Sequence, residues 1–246
     1  MRVFDCFTYY NEEDILNIRL NELNDYVDYF VIVEASETFT GNRKPFYLDN
    51  FLSCANKFLS KIIRVKVIFN DKICDPWERE HFQRNQIIQG LLGASKNDLI
   101  LISDVDEIIN TSVFNKISKI KNPIQLDNYQ YFWNFHWRAP QHCNQGARPV
   151  ACKMKHLVKS TPQELRAAQL ERVPNAGWHF SYYLNSNDLI TKIESFAHTE
   201  YNQKEYKDTE KILYRIQNGI DPFDRFPLKY YEIDTTYPKY IQDKYI

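Results

Sequence analysis

Four short apolar runs, each separated from the next by a stretch with helical spacing, constrain this chain more than any other feature. Arg2–Thr8, Tyr29–Val33, Ile62–Phe69 and Leu99–Ile102 read as strands. Between them, Glu13–Leu23 carries apolar residues at Ile15, Leu16, Ile18, Leu20 and Leu23, the spacing of one helix face. Leu48–Leu59 and Trp77–Leu92 read as the next two helices, the latter ending near Gly93. Strand and helix in strict alternation predict an α/β fold, with a mostly parallel central sheet flanked by helices. In such sheets ligands bind beyond the carboxyl ends of the strands, which singles out residues 9–12, 34–37, 69–75 and 103–107.

The second half is less regular. Ile124–Asn134 and Gly177–Tyr182 read as strands, and Pro162–Leu170, Asn187–Phe196 and Asp208–Gln217 as helices. Trp137–Pro149 reads as a loop, and the Pro- and Tyr-rich tail from Pro222 as irregular packing. No repeat or linker interrupts the 246 residues, so a single domain is expected.

Composition excludes several function classes. A net charge of -1 gives no footing for nucleic-acid or membrane-surface binding. Only 6 glycines occur and none forms a phosphate-cradling loop, which removes P-loop and dinucleotide-fingerprint chemistry. No apolar run approaches a bilayer span. The chain enters its first strand directly from Met1, without a signal-peptide pattern, so a cytoplasmic protein is expected unless a targeting segment was trimmed. The five cysteines, Cys6, Cys54, Cys74, Cys143 and Cys152, lack metal-ligand spacing and read as reduced thiols.

The chemistry concentrates in Leu99-Ile-Leu-Ile-Ser-Asp-Val-Asp-Glu-Ile108. With 17 aspartates in the chain an Asp-x-Asp pair is expected about once by chance, so the pattern alone means little. Its position is informative. Asp104, Asp106 and Glu107 follow a buried strand into the expected ligand crevice. Adjacent carboxylates raise one another's pKa and are destabilising without a cation. Hard divalent ions prefer such oxygens and bridge them to substrate phosphates. A solvated acidic turn is the alternative. Aspartyl-phosphate phosphatases place a similar pair after the first strand rather than the fourth, and sugar-nucleotide pyrophosphorylases need a glycine-rich loop.

The residues around this motif resemble glycosyltransferase family 17, which includes β-1,4-mannosyl-glycoprotein β-1,4-N-acetylglucosaminyltransferases. The matching stretches are Phe4–Leu20, Val27–Ala35, Thr38–Pro45, Trp77–Glu80 with Arg84-Asn85, Ser103–Ile108, Ala176–Tyr182 and Lys192–Tyr201. The resemblance implies a GT-A-type fold, with residues 1–110 as the nucleotide-sugar half and 111–246 as the acceptor half. It implies an inverting transfer of N-acetylglucosamine from UDP-GlcNAc to a glycan, with Mn2+ or Mg2+. It also implies metal and diphosphate contacts at Asp104 and Asp106, with His198 or His179 completing the metal site and His198 preferred. Glu194 and Glu200 match the later motif and are the candidates for the general base. The animal members' anchor and stem are absent from this sequence, which fits a bacterial or viral member acting on another glycan.

Donor contacts are expected from strand ends and nearby loops: Tyr10, Asn11, Glu12, Glu34, Arg43, Lys44, Arg79 and Arg84. The two last are five apart on one helix and cannot both point into one site. Trp178 and Trp133 fit either a sugar platform or the core. Another donor sugar, or a non-catalytic carbohydrate- or nucleotide-binding module of the same fold, are the competing readings.

Overall fold

The computed structural model describes residues 1–54, 56–70, 72–140, 148–183 and 186–246. The first half runs β1 (Val3–Tyr9), α1 (Glu13–Leu23), β2 (Tyr29–Ala35), α2 (Leu48–Cys54), β3 (Ile62–Val67), α3 (Pro76–Asn85), β4 (Leu99–Asp104) and β5 (Glu107–Ile109). The second half runs α4 (Phe114–Ile117), β6 (Ile124–Phe132), β7 (Trp137–Arg138), β8 (Val150–Lys153), α5 (Pro162–Ala167) and β9 (Glu171–Ser181). It closes with α6 (Ser186–Ser195), α7 (Thr209–Asn218), β10 (Lys229–Tyr230) and α8 (Lys239–Tyr245).

The first four strands are parallel and lie in the order β4-β1-β2-β3. Period-two alternation sends their side chains into two cores. Phe7, Phe30, Ile32, Leu99 and Leu101 pack into one. Phe4, Cys6, Val31, Val33, Ile100 and Ile102 pack into the other. Both faces are therefore covered, as the unbroken apolar runs require. This is the expected α/β architecture, a mostly parallel central sheet flanked by helices. Beyond β4 the sheet continues through β8, β6, β7 and β10 with antiparallel neighbours. Among the described residues, no helix is long and apolar enough to cross a membrane.

β9 links the halves. It runs parallel to β6 and antiparallel to β5, with His179 opposite Glu107. Gly177 makes this approach possible, because a Cβ there would stand 2.2 Å from the Ile108 carbonyl oxygen.

Several expectations shift. The helix expected over Leu48–Leu59 stops at Cys54, and a 3-10 turn covers Asn56–Lys61. The helix expected to Leu92 changes to 3-10 geometry after Asn85. β9 begins at Glu171, six residues before the expected strand. The tail from Pro222 is not wholly irregular: it holds β10 and α8, with Ile241 fully buried. The loop expected at Trp137–Pro149 opens with β7, and its residues 141–147, Cys143 included, lie outside the described residues. The Cys54 side chain does too.

Candidate active site

β1 has β2 on one side and β4 on the other, so the chain reverses direction of travel across the sheet at the β1–β4 junction. That is where a crevice opens in sheets of this kind. Thr8, near the end of β1, pairs in register with Asp104, the last residue of β4. The Thr8 hydroxyl donates to Asp104 Oδ1 at 3.2 Å.

Asp104 is held by two arginines. Arg84 Nη2 lies 3.0 Å from Oδ1, and Arg166 Nη2 lies 2.9 Å from Oδ2. Burial disfavours the Asp104 charge, but Arg166 and Arg84 outweigh it and hold the carboxyl well below the usual carboxylate range. Arg84 reaches inward because α3 is set by an Asp75 cap, whose side chain accepts from the Trp77 and Glu78 amides. Arg166 comes from α5, started by the Thr161–Glu164 capping box and Pro162. Arg166 also donates to the buried Glu107, whose Oε2 accepts the Asp104 amide at 2.7 Å. Burial pushes the Glu107 pKa up, and Arg166 opposes it.

Asp106 faces a different pair. His179 Nε2 approaches its Oδ1 at 3.4 Å, and Lys192 Nζ approaches its Oδ2 at 3.4 Å. Burial raises the Asp106 pKa, yet His179 and Lys192 prevail and hold it at about 2. His179 also lies 2.8 Å from the Ser181 hydroxyl. Burial lowers the imidazole pKa, but Asp106 reverses this and raises it above 6.5. Lys192, on α6, also reaches Glu12 Oε1 at 3.4 Å. Glu12 in turn accepts the Tyr10 and Asn11 amides.

These groups line a cavity of about 790 Å³. The lining also has an aromatic part, with Trp77, Tyr182, Phe196, Tyr201, Phe223 and Phe226. Tyr201 and Phe223 stack at 3.8 Å between centroids. Arg225 stands among these rings with Nε on Asp221 at 2.8 Å.

The expected site residues separate into two groups. Tyr10, Glu12, Lys44, Arg84, Asp104, Asp106, His179 and His198 line the cavity. The others do not. Asn11 lies just outside. Glu34 is fully buried against Lys44 and Arg64, at 3.3 and 3.1 Å. Arg43 is exposed. Arg79 turns away to the Ile73 carbonyl at 2.9 Å, so of the two α3 arginines one points in. Glu194 pairs with Lys207 at 2.8 Å outside the cavity. Glu200 reaches the cavity only through His198, whose Nδ1 lies 2.7 Å from its Oε1. His179, rather than His198, stands beside Asp106. Trp133 and Trp178 are core residues, 6% and 3% exposed. Two participants escaped sequence reasoning. Lys192 opens a quoted motif and could have been read from it, whereas nothing local marks Arg166.

Among the described residues, no three His, Cys, Asp or Glu side chains form a ready-made metal cage. A magnesium-like ion needs only one or two carboxylates when substrate phosphates complete its shell. The charges fit such an ion. Five lining carboxylates, Glu12, Glu80, Asp104, Asp106 and Glu107, face three permanent cations, Arg84, Arg166 and Lys192. Glu37, Lys44 and Arg225 also line it, which makes six carboxylates to five cations. Both Asp104 oxygens are held by arginines at 3.0 and 2.9 Å, whereas Asp106 has only the longer 3.4 Å contacts to His179 and Lys192, which makes Asp106, with His179 beside it, the candidate donor for a divalent ion.

Comparison with known proteins places the chain in a family. The model of the family described as Glycosyltransferase family 17 matches residues 1–237. Beta-1,4-mannosyl-glycoprotein 4-beta-N-acetylglucosaminyltransferase of Homo sapiens is 22% identical over 251 residues, covering 87% of this chain and 46% of that protein. Its Rattus norvegicus counterpart gives the same figures: 22%, 87% and 46%. The chain thus spans less than half the length of these relatives. Among solved structures, the mannosyltransferase PcManGT from Pyrobaculum calidifontis, in complex with GDP-Man and Mn2+, matches with a TM-score of 0.46 and 10% identity, over 79% of this chain and 61% of that one.

Proposed function

The chain belongs to glycosyltransferase family 17, and from that premise we propose that it transfers N-acetylglucosamine from UDP-GlcNAc to a glycan hydroxyl, with inversion and with a divalent metal. The observation that carries this reading is the Asp104–Asp106 pair at the β1–β4 crevice, facing a cavity whose lining carboxylates outnumber its lining cations. The choice of UDP-GlcNAc rests on the activity named for the relatives.

Asp106 and His179 would hold the metal, which when bound neutralises charge on the departing diphosphate. Arg84 and Arg166 keep Asp104 ionised and oriented beside it. Tyr10 and Lys44 border the donor side, and Lys192 adds a positive charge near the diphosphate. Residues 1–110 supply the donor floor. Residues 111–246 supply the acceptor wall and also lend Arg166, His179 and Lys192 to the floor.

The acceptor hydroxyl attacks the anomeric carbon opposite the diphosphate. A new C–O bond forms as the bond to the leaving oxygen breaks, and the hydroxyl proton passes to a base. Of the carboxylates expected for that role, Glu194 is occupied by Lys207 outside the cavity. Glu200 orients His198, which lines it. His198 backed by Glu200 is therefore the proposed base.

Titrating the protein calorimetrically with UDP-GlcNAc, with and without Mn2+, tests this reading. Metal-dependent binding that vanishes in Asp106→Ala supports donor and site together. Binding of a different sugar nucleotide in the same assay would replace the donor and keep the chemistry. No binding of any sugar nucleotide would leave a carbohydrate-binding module.

A further inference from the structure

We infer that Arg19 is the positioning residue of the acidic turn: from inside the core, it fixes the backbone that aims Asp104 and Asp106 at the cavity. The inference rests on the reading of those aspartates as the donor and metal carboxylates.

Arg19 occupies an unusual place. It sits on the apolar stripe of α1, among Ile15, Leu16, Ile18 and Leu20, and is completely buried. A buried guanidinium needs a counter-charge, and Asp5 of β1 supplies it through both oxygens, at 2.8 Å from Nε and 2.6 Å from Nη2. Charge neutralisation ends there, but the contacts do not. Nη2 also meets the Ser103 hydroxyl at 2.5 Å. Nη1 meets the carbonyl oxygens of Asp104, Val105 and Glu107 at 2.8, 3.1 and 2.9 Å.

Those carbonyls span the tight β4–β5 junction: Asp104 ends β4, Val105 lies in the turn, and Glu107 opens β5. Buried backbone acceptors need donors, and here a single side chain from another element supplies three of them. The planar, multi-donor fork of arginine suits this task, and a lysine ammonium cannot reproduce it. The Phe7 ring, 4.2 Å from the guanidinium carbon, closes the pocket from the side. Glu12, seven positions earlier, is the residue that precedes α1. It grips Lys192, which in turn approaches Asp106. The α1 segment thus reaches the turn directly through Arg19 and, by way of Lys192, through Glu12 at its start.

Two variants test this. Arg19→Lys keeps the charge and loses the fork. Arg19→Met with Asp5→Leu removes both buried charges, a replacement that commonly preserves folding, and leaves the carbonyls without their donor. Amide hydrogen exchange is read at residues 104–107 and, as an internal reference, at Val31 and Val33 in β2. We expect turn exchange to rise about tenfold to hundredfold with β2 unchanged, and Mn2+-dependent UDP-GlcNAc affinity to fall by a similar factor, the scale seen when partners behind metal ligands are lost. A merely structural arginine would accelerate exchange across the sheet in proportion and leave affinity per folded molecule intact. Unchanged turn exchange in either folded variant overturns the inference. If the wild type binds no UDP-GlcNAc, the donor reading fails, and the exchange ratio alone still decides the role of Arg19.

Discussion

The floor and the far wall of the cavity are built on opposite principles. The floor is a lattice of charges: Asp104 between Arg84 and Arg166, Glu107 on Arg166, Asp106 between His179 and Lys192. Each contact is directional, and most partners are shared, so one displaced atom affects several others. The wall is a cluster of rings, with Tyr201 on Phe223, Phe223 against Tyr206, and Phe196 near His198. Ring contacts tolerate small shifts, because dispersion and burial depend on area more than on angle. Under the proposed function, a rigid floor would suit chemistry on an invariant diphosphate and a tolerant wall would suit acceptors of varied shape.

The comparison can be broken most forcefully at Asp106. Asp106→Ala should lower turnover roughly 10²–10³-fold, the scale of one lost transition-state charge contact, while circular dichroism stays native. Full activity in that variant would remove the floor's chemical role. Next, Arg166→Ala leaves Glu107 buried without its cation. Urea unfolding should report about 3–5 kcal/mol of lost stability, as expected for breaking a buried pair. On the wall, Tyr201→Ala should raise the acceptor KM by about tenfold, near 1.4 kcal/mol, and leave donor affinity unchanged. An equal loss of donor affinity would erase the distinction between the two surfaces.

A fourth test uses pH. The His179 pKa is raised by Asp106, so the protonated imidazole contributes stability that is complete below pH 6.5 and is lost as pH rises through the higher folded value. His179→Gln should flatten the melting temperature over that interval, and a profile that still falls there would assign the titration to another group. The smallest effect is expected at Glu194. Glu194→Gln should change stability by less than about 0.5 kcal/mol and leave kcat intact, whereas Glu200→Gln should lower kcat.

Much of the floor was legible because its position follows from chain order. Four buried runs place the Asp104 turn at a strand end, and parallel pairing places it in the crevice. Arg166 was not legible, since its approach depends on α5 packing back toward α3 and β4. His179 was readable as a candidate but not as the partner of Asp106, because that depends on β9 pairing with β5. β8 is four residues long and α8 buries a single wholly apolar site, Ile241, so neither leaves a periodic signal. Conversely, Arg43 and Glu194 carried the right chemistry in matching motifs and point elsewhere, because motif membership does not specify side-chain direction.

The double grip of Arg166 bears on how such a site changes over generations. It serves Asp104 and Glu107 at once; Asp104 keeps Arg84 if Arg166 is lost, but Glu107 is then stranded in a low-dielectric interior. Loss of Arg166 alone passes through a disfavoured intermediate, and viable lineages are expected to replace Arg166 only with or after Glu107. In the wall such a linkage joins Arg225 to the buried Asp221, whereas the rings around it can be exchanged one at a time, so under the proposed function acceptor preference would drift there while the floor stays locked.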